Sequence, residues 1–285
     1  MLETRDLTIR FGGHVAVDHV SCAFAPGTLT AIVGPNGAGK TTYFNLISGQ
    51  LPASQGRVLL DGQDITTLPA PLRTRRGLGR AFQLTQLFPN LTVRENVRLA
   101  IQAREAGRGQ GGGWAGIDLF RVWLDRRAWI DEAQAILAQV RLADKAEAHA
   151  SALPHGDQRK LEVALLIALD PKVFMFDEPT AGMSVDEVPV ILDLIRALKA
   201  RRNSTILLVE HKMDVVRELA DRIIVLHNGQ LVADGEPAAV IASPIVQQAY
   251  LGMAAEDEPG LATVPADCRE PGESERHASR EVGPA

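Results

Sequence analysis

The sequence predicts an α/β fold, in which a largely parallel sheet has helices on both faces. Short apolar segments bounded by turn residues alternate along the chain with segments of helical periodicity. Hydrophobic residues make up 46% of the 285 residues, which is enough for a sizeable core. Strands that alternate with helices favour parallel pairing, because each helix returns the chain to the same edge of the sheet.

Three buried strands and one helix come from local patterns. Residues 29–33 are apolar and lie between two glycines, which predicts a buried strand. Residues 41–48 then predict a helix that ends at Gly49. Further apolar runs at 173–176 and 205–209 predict two more strands of the same sheet.

The remaining segments complete this pattern. Apolar residues recur at helical spacing over 188–198, with Pro189 in the first turn, where it is tolerated. Residues 222–226 and 231–233 flank an Asn-Gly pair, which predicts a β-hairpin. Residues 84–158 contain helical runs and no convincing strand, so we expect an inserted helical subdomain there.

Charge and composition exclude several classes of protein. The net charge is −5, but eight acidic and three basic residues lie in 253–285, so residues 1–252 are net neutral. A neutral body argues against binding of duplex nucleic acid. Residues 253–285 are rich in Glu, Pro, Gly and Ser, which predicts a disordered acidic tail. Two cysteines are too few for a disulfide framework, and no stretch approaches the roughly 18–20 apolar residues of a membrane span.

A phosphate-binding loop is predicted between the first strand and helix. The sequence there matches G-x-x-x-x-G-K-[ST], and its position after a strand and before a helix is the context that this motif requires. Backbone N–H groups of such a loop close around phosphate oxygens, while the lysine reaches the β- and γ-phosphates and the Thr41 hydroxyl binds Mg²⁺. The predicted nucleotide-binding residues are Gly34, Pro35, Asn36, Gly37, Ala38, Gly39, Lys40, Thr41 and Thr42.

Two adjacent carboxylates end the strand predicted at 173–176. Asp177 is placed to hold Mg²⁺, as in a Walker B site. Glu178 is the next residue and can orient or deprotonate the attacking water. The phosphate loop and the acidic pair together predict a nucleotide hydrolase, but they leave many ATPases and GTPases open.

Over residues 4–252 the chain resembles the ATP-binding subunit of an ABC transporter. The resemblance implies that Gln83 is the Q-loop glutamine, which contacts Mg²⁺ and the attacking water, and that His211 is the switch histidine near the γ-phosphate. It also implies that Phe11 lies against adenine and that Gly156 belongs to the signature segment, which faces ATP across a dimer. By the same resemblance the fold is a P-loop ABC-type ATPase core, with an N-terminal antiparallel β subdomain and the helical subdomain 84–158.

The signature departs from the usual LSGGQ pattern, and the departures resemble those of one branch. Pro154 and Asp157 replace the usual serine and glutamine, and Ser184 replaces the aspartate of the D-loop. A helix is expected to follow Gly156 and to span Asp157–Leu169. The run Leu-Pro-His-Gly-Asp-Gln at 153–158 and the closing Ala-Tyr-Leu-Gly at 249–252 resemble the ATPases of branched-chain amino acid uptake and their urea and amide relatives.

The resemblance implies an ATPase that energises import of branched-chain or related amino acids. Expected partners are a second ABC ATPase subunit, two transmembrane permeases and, indirectly, a periplasmic binding protein, with the chain peripheral on the cytoplasmic face of the inner membrane. ATP and Mg²⁺ are the expected cofactors. The alternatives are a lipopolysaccharide-export ATPase, which is expected to keep an LSGGE-like signature, and a urea or amide importer. A soluble ABC-type ATPase acting on ribosomes or DNA and a metabolic kinase fit the motifs less well.

Overall fold

The computed structural model describes residues 1–81, 87–108, 119–244 and 246. Its strands are β1 (Leu2–Phe11), β2 (His14–Phe24), β3 (Leu29–Val33), β4 (Gln55–Leu60), β5 (Gln63–Asp64), β6 (Leu78–Ala81), β7 (Val173–Asp177), β8 (Thr205–Val209), β9 (Arg222–His227) and β10 (Gln230–Gly235). Its helices are α1 (Lys40–Ser48), α2 (Ala70–Arg75), α3 (Val93–Arg108), α4 (Leu119–Gln139), α5 (His155–Leu169), α6 (Val188–Ala200), α7 (Met213–Leu219) and α8 (Pro237–Ile241).

The strands form two sheets. The larger has the order β10-β9-β3-β8-β7-β6, and all neighbouring pairs are parallel except the hairpin of β9 and β10. The smaller sheet, β2-β1-β4-β5, is antiparallel throughout. This arrangement confirms the predicted α/β fold and the antiparallel N-terminal sheet. Asn228 and Gly229 both have positive φ, 48° and 77°, as the turn of a tight hairpin requires.

Both faces of the parallel sheet are buried, as its continuous apolar strands predict. In β8, Ile206 and Leu208 pack into a cluster with residues of α5 and α6, whereas Leu207 and Val209 pack with residues of α1 and the antiparallel sheet. Successive side chains of a strand point to opposite faces, so each strand contributes to both layers. Because β3, β7 and β8 run parallel to one another, their carboxyl ends lie at the same edge of the sheet, between the two layers.

Helices α3, α4 and α5 pack against one another beside this sheet. The Arg104 guanidinium of α3 donates to Glu132 of α4, at 2.7 and 2.9 Å, and to the carbonyl of Ala168 in α5, at 3.1 Å. Among the described residues between 87 and 158, the single β contact is an isolated bridge from Thr92 to His149. The boundaries 84–158 of a helical subdomain stay a prediction, and the predicted tail 253–285 lies outside the described residues.

No helix in the described part of the chain is both long enough and apolar enough to cross a membrane.

Candidate active site

The phosphate loop joins β3 to α1, as predicted, with α1 beginning at Lys40 and ending before Gly49. Two of its glycines lie where a side chain has no room. A Cβ at Gly34 would lie 2.1 Å from the carbonyl oxygen of Leu226, and one at Gly39 would lie 2.5 Å from that of Ala16 in β2. Gly39 also has φ 97°, a conformation that other residues rarely adopt. These close approaches place the loop directly against β2 and the end of β9.

The Lys40 side chain is buried within its own loop. Its ammonium donates to the carbonyl oxygens of Gly34, at 2.6 Å, and Pro35, at 2.8 Å. Burial lowers the pKa of Lys40, and the carboxylates of Glu178 and Asp177 partly oppose this effect. The lysine therefore lies within electrostatic range of both predicted acidic residues, and phosphate oxygens could replace the two carbonyls as its partners.

Asp177 lies at the carboxyl end of β7 and is buried. One carboxylate oxygen, Oδ2, accepts a hydrogen bond of 2.6 Å from the guanidinium of Arg80 in the neighbouring strand β6. No described residue donates a hydrogen bond to the other oxygen, Oδ1, although it is buried. A buried carboxylate oxygen without a donor is unusual, and it is suited to bind a cation. Sequence analysis missed Arg80, because one arginine in a short strand carries no local sign of burial.

Glu178 and His211 form a pair at the ends of β7 and β8. The Oε1 atom of Glu178 lies 2.9 Å from Nε2 of His211. Glu178 has φ 49°, and its N–H donates to the carbonyl of Val209 at 3.0 Å, so the chain turns sharply after Asp177. Both side chains are partly exposed, at 26% for Glu178 and 42% for His211. A solvent-accessible carboxylate held by an imidazole can accept a proton from water and stay oriented.

Buried Glu210 joins the turns that follow β7 and β8. Its Oε1 atom accepts a hydrogen bond from the Thr180 hydroxyl, and its Oε2 atom accepts one of 2.9 Å from the N–H of His211. The loop after Glu178 and the histidine turn are thus tied together. No local pattern predicts this role of Glu210, since its partner Thr180 is 30 residues away in sequence.

The signature segment begins α5 two residues earlier than predicted. The helix starts at His155 instead of Asp157, because Pro154 is in the extended conformation of an N-cap residue, with ψ 158°. Gly156 therefore lies within the first turn. The carboxylate of Glu187 packs directly against it, so that a Cβ at Gly156 would lie 2.2 Å from Oε2 of Glu187.

An ion-pair network surrounds the start of α5. Lys160 donates to Asp157 at 2.8 Å and to Glu187 at 3.2 Å, and Lys145 donates to the second oxygen of Asp157. Burial alone would raise the pKa of Asp157, but hydrogen bonds from the two lysines outweigh it, and the pKa is lowered. Glu187 in turn accepts hydrogen bonds from the N–H and hydroxyl of Ser184. Two positions at which the sequence departs from the usual pattern, 157 and 184, are thus linked through Lys160 and Glu187.

The structure brings the phosphate loop, Asp177, Glu178 and His211 to one edge of the sheet. Phe11 is half-exposed at the end of β1, where it pairs with His14 in a tight hairpin. In the loop, Asn36 and Gly37 are exposed and Ala38 is buried, while Thr41 and Thr42 occupy the partly exposed first turn of α1. Gln83 lies outside the described residues. No described hydrogen bond or ion pair joins Gly156 or Phe11 to the phosphate loop.

Comparisons with known proteins agree with this geometry. A profile of the ABC transporter family matches residues 17–181. The chain is 37% identical over 254 residues to the high-affinity branched-chain amino acid transport ATP-binding protein LivG of Escherichia coli K12, covering 89% of this chain and 98% of LivG. The corresponding protein BraF of Pseudomonas aeruginosa shows the same identity and coverage.

Solved structures with the same fold include a nucleotide-free ATP-binding cassette of an ABC transporter, with a TM-score of 0.72 and 29% identity. That likeness covers 88% of this chain and 98% of the cassette. The ADP conformation of the cassette MJ1267 has a TM-score of 0.71 and 30% identity, with the same coverage. Because the profile spans more than half of the chain and the curated relatives match nearly end to end, the chain belongs to the ABC transporter family, as one of its ATP-binding, ATP-hydrolysing cassettes.

Proposed function

We propose that this cassette energises the import of branched-chain or related amino acids. The observation that most supports catalysis is the 2.9 Å pair of Glu178 and His211, beside the buried carboxylate of Asp177. The names of LivG and BraF support the class of solute. The departures in the signature segment, which an exporter of the lipopolysaccharide type is not expected to share, support the same branch.

Each residue has a separate part in the proposed reaction. The phosphate loop and Lys40 bind the phosphates, and Glu178 accepts a proton from the attacking water. His211 holds the Glu178 carboxylate through Nε2 and lies near the γ-phosphate. Gln83 contributes to positioning the water, and Phe11 packs against the adenine.

Mg²⁺ fits the residues that are present. The chain offers two oxygen ligands for the ion, the hydroxyl of Thr41 and Oδ1 of Asp177. Oδ1 accepts no hydrogen bond from any described residue. Mg²⁺ is commonly bound by one or two protein oxygens together with phosphate oxygens and waters. When bound, the ion would neutralise charge on the phosphates. Gln83 is proposed as a further contact of the ion.

The assembly is also part of this proposal. Two cassettes, identical or related, pair so that Gly156 of one faces the nucleotide held by the phosphate loop of the other. Two permease chains cross the membrane, a periplasmic binding protein delivers the solute, and the cassettes lie on the cytoplasmic face. Residues 84–158 would form the subdomain toward the permeases, and residues 253–285 would be a tail outside the cassette.

Uptake by cells tests the proposed solute. The gene is deleted from its source organism, and uptake of radiolabelled leucine, isoleucine, valine and urea is measured. We expect loss of branched-chain amino acid uptake, restored by the wild-type gene but not by Glu178→Gln. Loss of urea uptake alone would favour the urea or amide branch. If uptake of every solute is unchanged while the cell envelope lacks lipopolysaccharide, the exporter alternative replaces the proposal.

A further inference from the structure

Arg80 is a buried arginine that binds an acidic residue of the proposed active site. It lies in β6, and its side chain is 5% exposed, whereas that of its partner Asp177 is fully buried. The parallel pairing of β6 with β7 sets Ala81 opposite Phe176, which brings Arg80 alongside the end of β7. A charge at such depth is tolerated only with a charged or hydrogen-bonding partner.

The ion pair divides the two oxygens of Asp177 between different roles. Oδ2 accepts the guanidinium N–H at 2.6 Å, and Oδ1 has no donor among the described residues. A carboxylate bound through one oxygen cannot rotate freely, so the second oxygen keeps a fixed direction. In metal sites, partners behind the ligands orient them in this way, and removing such a partner costs about 10–100-fold in metal affinity or activity.

The same guanidinium also binds the helix that follows the phosphate loop. Its NH1 group donates to Oδ1 of Asn45 at 2.6 Å, to the hydroxyl of Ser48 at 3.0 Å and to Oε1 of Gln50 at 3.2 Å. Its Cζ atom lies 5.5 Å from the ring centre of Phe44, over its face. These contacts fasten β7, which ends in Asp177, to α1, whose first turn contains Thr41.

We propose that Arg80 is a positioning residue for the divalent cation that accompanies the nucleotide. It holds Oδ2 of Asp177, leaves Oδ1 for the ion, and sets the separation of the two elements that provide the ligands. This inference rests on the proposed function, because it takes Asp177 and Thr41 as the metal-binding residues.

The test measures how strongly Mg²⁺ promotes nucleotide binding by the full-length chain. The dissociation constant of the non-hydrolysable analogue AMP-PNP is determined by calorimetry in EDTA and in saturating Mg²⁺, and the ratio of the two values gives the coupling. For Arg80→Met we expect the value in EDTA to stay within about twofold of wild type and the coupling to fall by about tenfold. Arg80→Lys keeps the charge and should recover part of the coupling.

The matched control is Arg73→Met. Arg73 is also buried and binds the same helix, since it donates to the carbonyls of Leu46 at 2.6 Å and Ile47 at 2.7 Å. It binds no carboxylate among its described contacts. Both Arg73→Met and Arg80→Met are expected to lower stability, and thermal unfolding measures the loss for each variant. It should leave the Mg²⁺ coupling at the wild-type value.

A further variant separates failure of this inference from failure of the proposed site. Asp177→Asn should lower the coupling at least as much as Arg80→Met. If Asp177→Asn lowers the coupling and neither Arg80 variant does, the inference is wrong and the proposed metal ligand stands. If Asp177→Asn has no effect, both are wrong. An unchanged or higher coupling in Arg80→Met, or an equal loss in Arg73→Met, overturns the positioning role of Arg80.

Discussion

Gly156 lies in the first turn of α5, and two different contacts could require a glycine there: one with Glu187 of the same chain and one with a phosphate from the other cassette. A residue with a Cβ there would place it 2.2 and 2.3 Å from the carboxylate oxygens of Glu187 in the same chain. Those distances are far inside van der Waals contact, so Glu187 must move. The resemblance to ABC ATPases implies a different reason, the approach of a phosphate from the other cassette. The clash within the chain exists without any partner.

The loss of stability expected for Gly156→Ala follows from the hydrogen bonds that Glu187 makes. Moving the Glu187 carboxylate breaks its hydrogen bonds to Lys160, at 3.2 Å, and to the N–H and hydroxyl of Ser184, at 3.3 and 3.1 Å. All three are long and Glu187 is 28% exposed, so we take the low end of the usual range, about 0.5 kcal/mol each. Alanine regains about 0.5 kcal/mol over glycine in a helix. Gly156→Ala should therefore destabilise the fold by about 1 kcal/mol.

The assay is a double-mutant cycle in urea unfolding followed by circular dichroism. In the background Glu187→Ala the clash is absent, and we expect Gly156→Ala to stabilise the chain by about 0.5 kcal/mol. The two substitutions should therefore couple by about 1.5 kcal/mol, well above the roughly 0.3–0.5 kcal/mol within which independent sites are additive. Additive effects would refute the reasoning from Glu187.

The ATPase activity of the same double variant in the complete assembly then tests whether a phosphate from the other cassette also requires glycine at position 156. If activity stays lost although stability has recovered, and Glu187→Ala alone remains active, the glycine is also needed by the nucleotide. Recovered activity would instead mean that a phosphate does not approach the Cα atom of Gly156. Gly156→Asp adds a negative charge at the same position, so we expect the single chain to bind ATP normally and the pair of cassettes to fail to close.

Three other predictions concern separate features of the chain. Glu178→Gln should keep ATP binding and lose turnover, because the amide has the shape of the carboxylate but cannot accept the proton. Lys40→Ala should instead weaken ATP binding, and ATP titration together with phosphate release distinguishes the two variants. Turnover at the wild-type rate in Glu178→Gln would contradict the assignment of the base. Deleting residues 256–285 should leave ATPase activity and the thermal midpoint nearly unchanged, because this composition buries little apolar area, and a large fall in the midpoint would show that the segment docks on the cassette. The pKa of Asp157 is lowered in the folded chain, so its ion pairs stabilise the fold above the unfolded pKa of about 3.9, and this contribution is lost as the pH falls below that value. Asp157→Asn should therefore reduce the dependence of the unfolding free energy on pH below about pH 4. An unchanged slope of unfolding free energy against pH would contradict this prediction.

Much of the site was predictable because its signals are local. The strand β3, the phosphate loop and the start of α1 are consecutive in sequence, and glycine spacing, strand length and helix start each depend on neighbouring residues. The same holds for β7 and the acidic pair that ends it. The signature helix was placed less well, with its start two residues late, because Pro154 as an N-cap residue departs from the usual pattern.

By itself, the sequence determined the fold class, the phosphate loop and the identity of the two carboxylates that follow β7. Only the tertiary structure decided which groups hold them: Arg80 and Asp177 are 97 residues apart, and Glu178 and His211 are 33 apart. These pairs arise from the parallel order of β6, β7 and β8, which sets the ends of non-consecutive segments side by side. The chemistry of a side chain determines what kind of partner it needs when it is buried. Whether it is buried, and which residue becomes its partner, depends on strand register and on the packing of the layers, and these cannot be read from a short stretch of sequence.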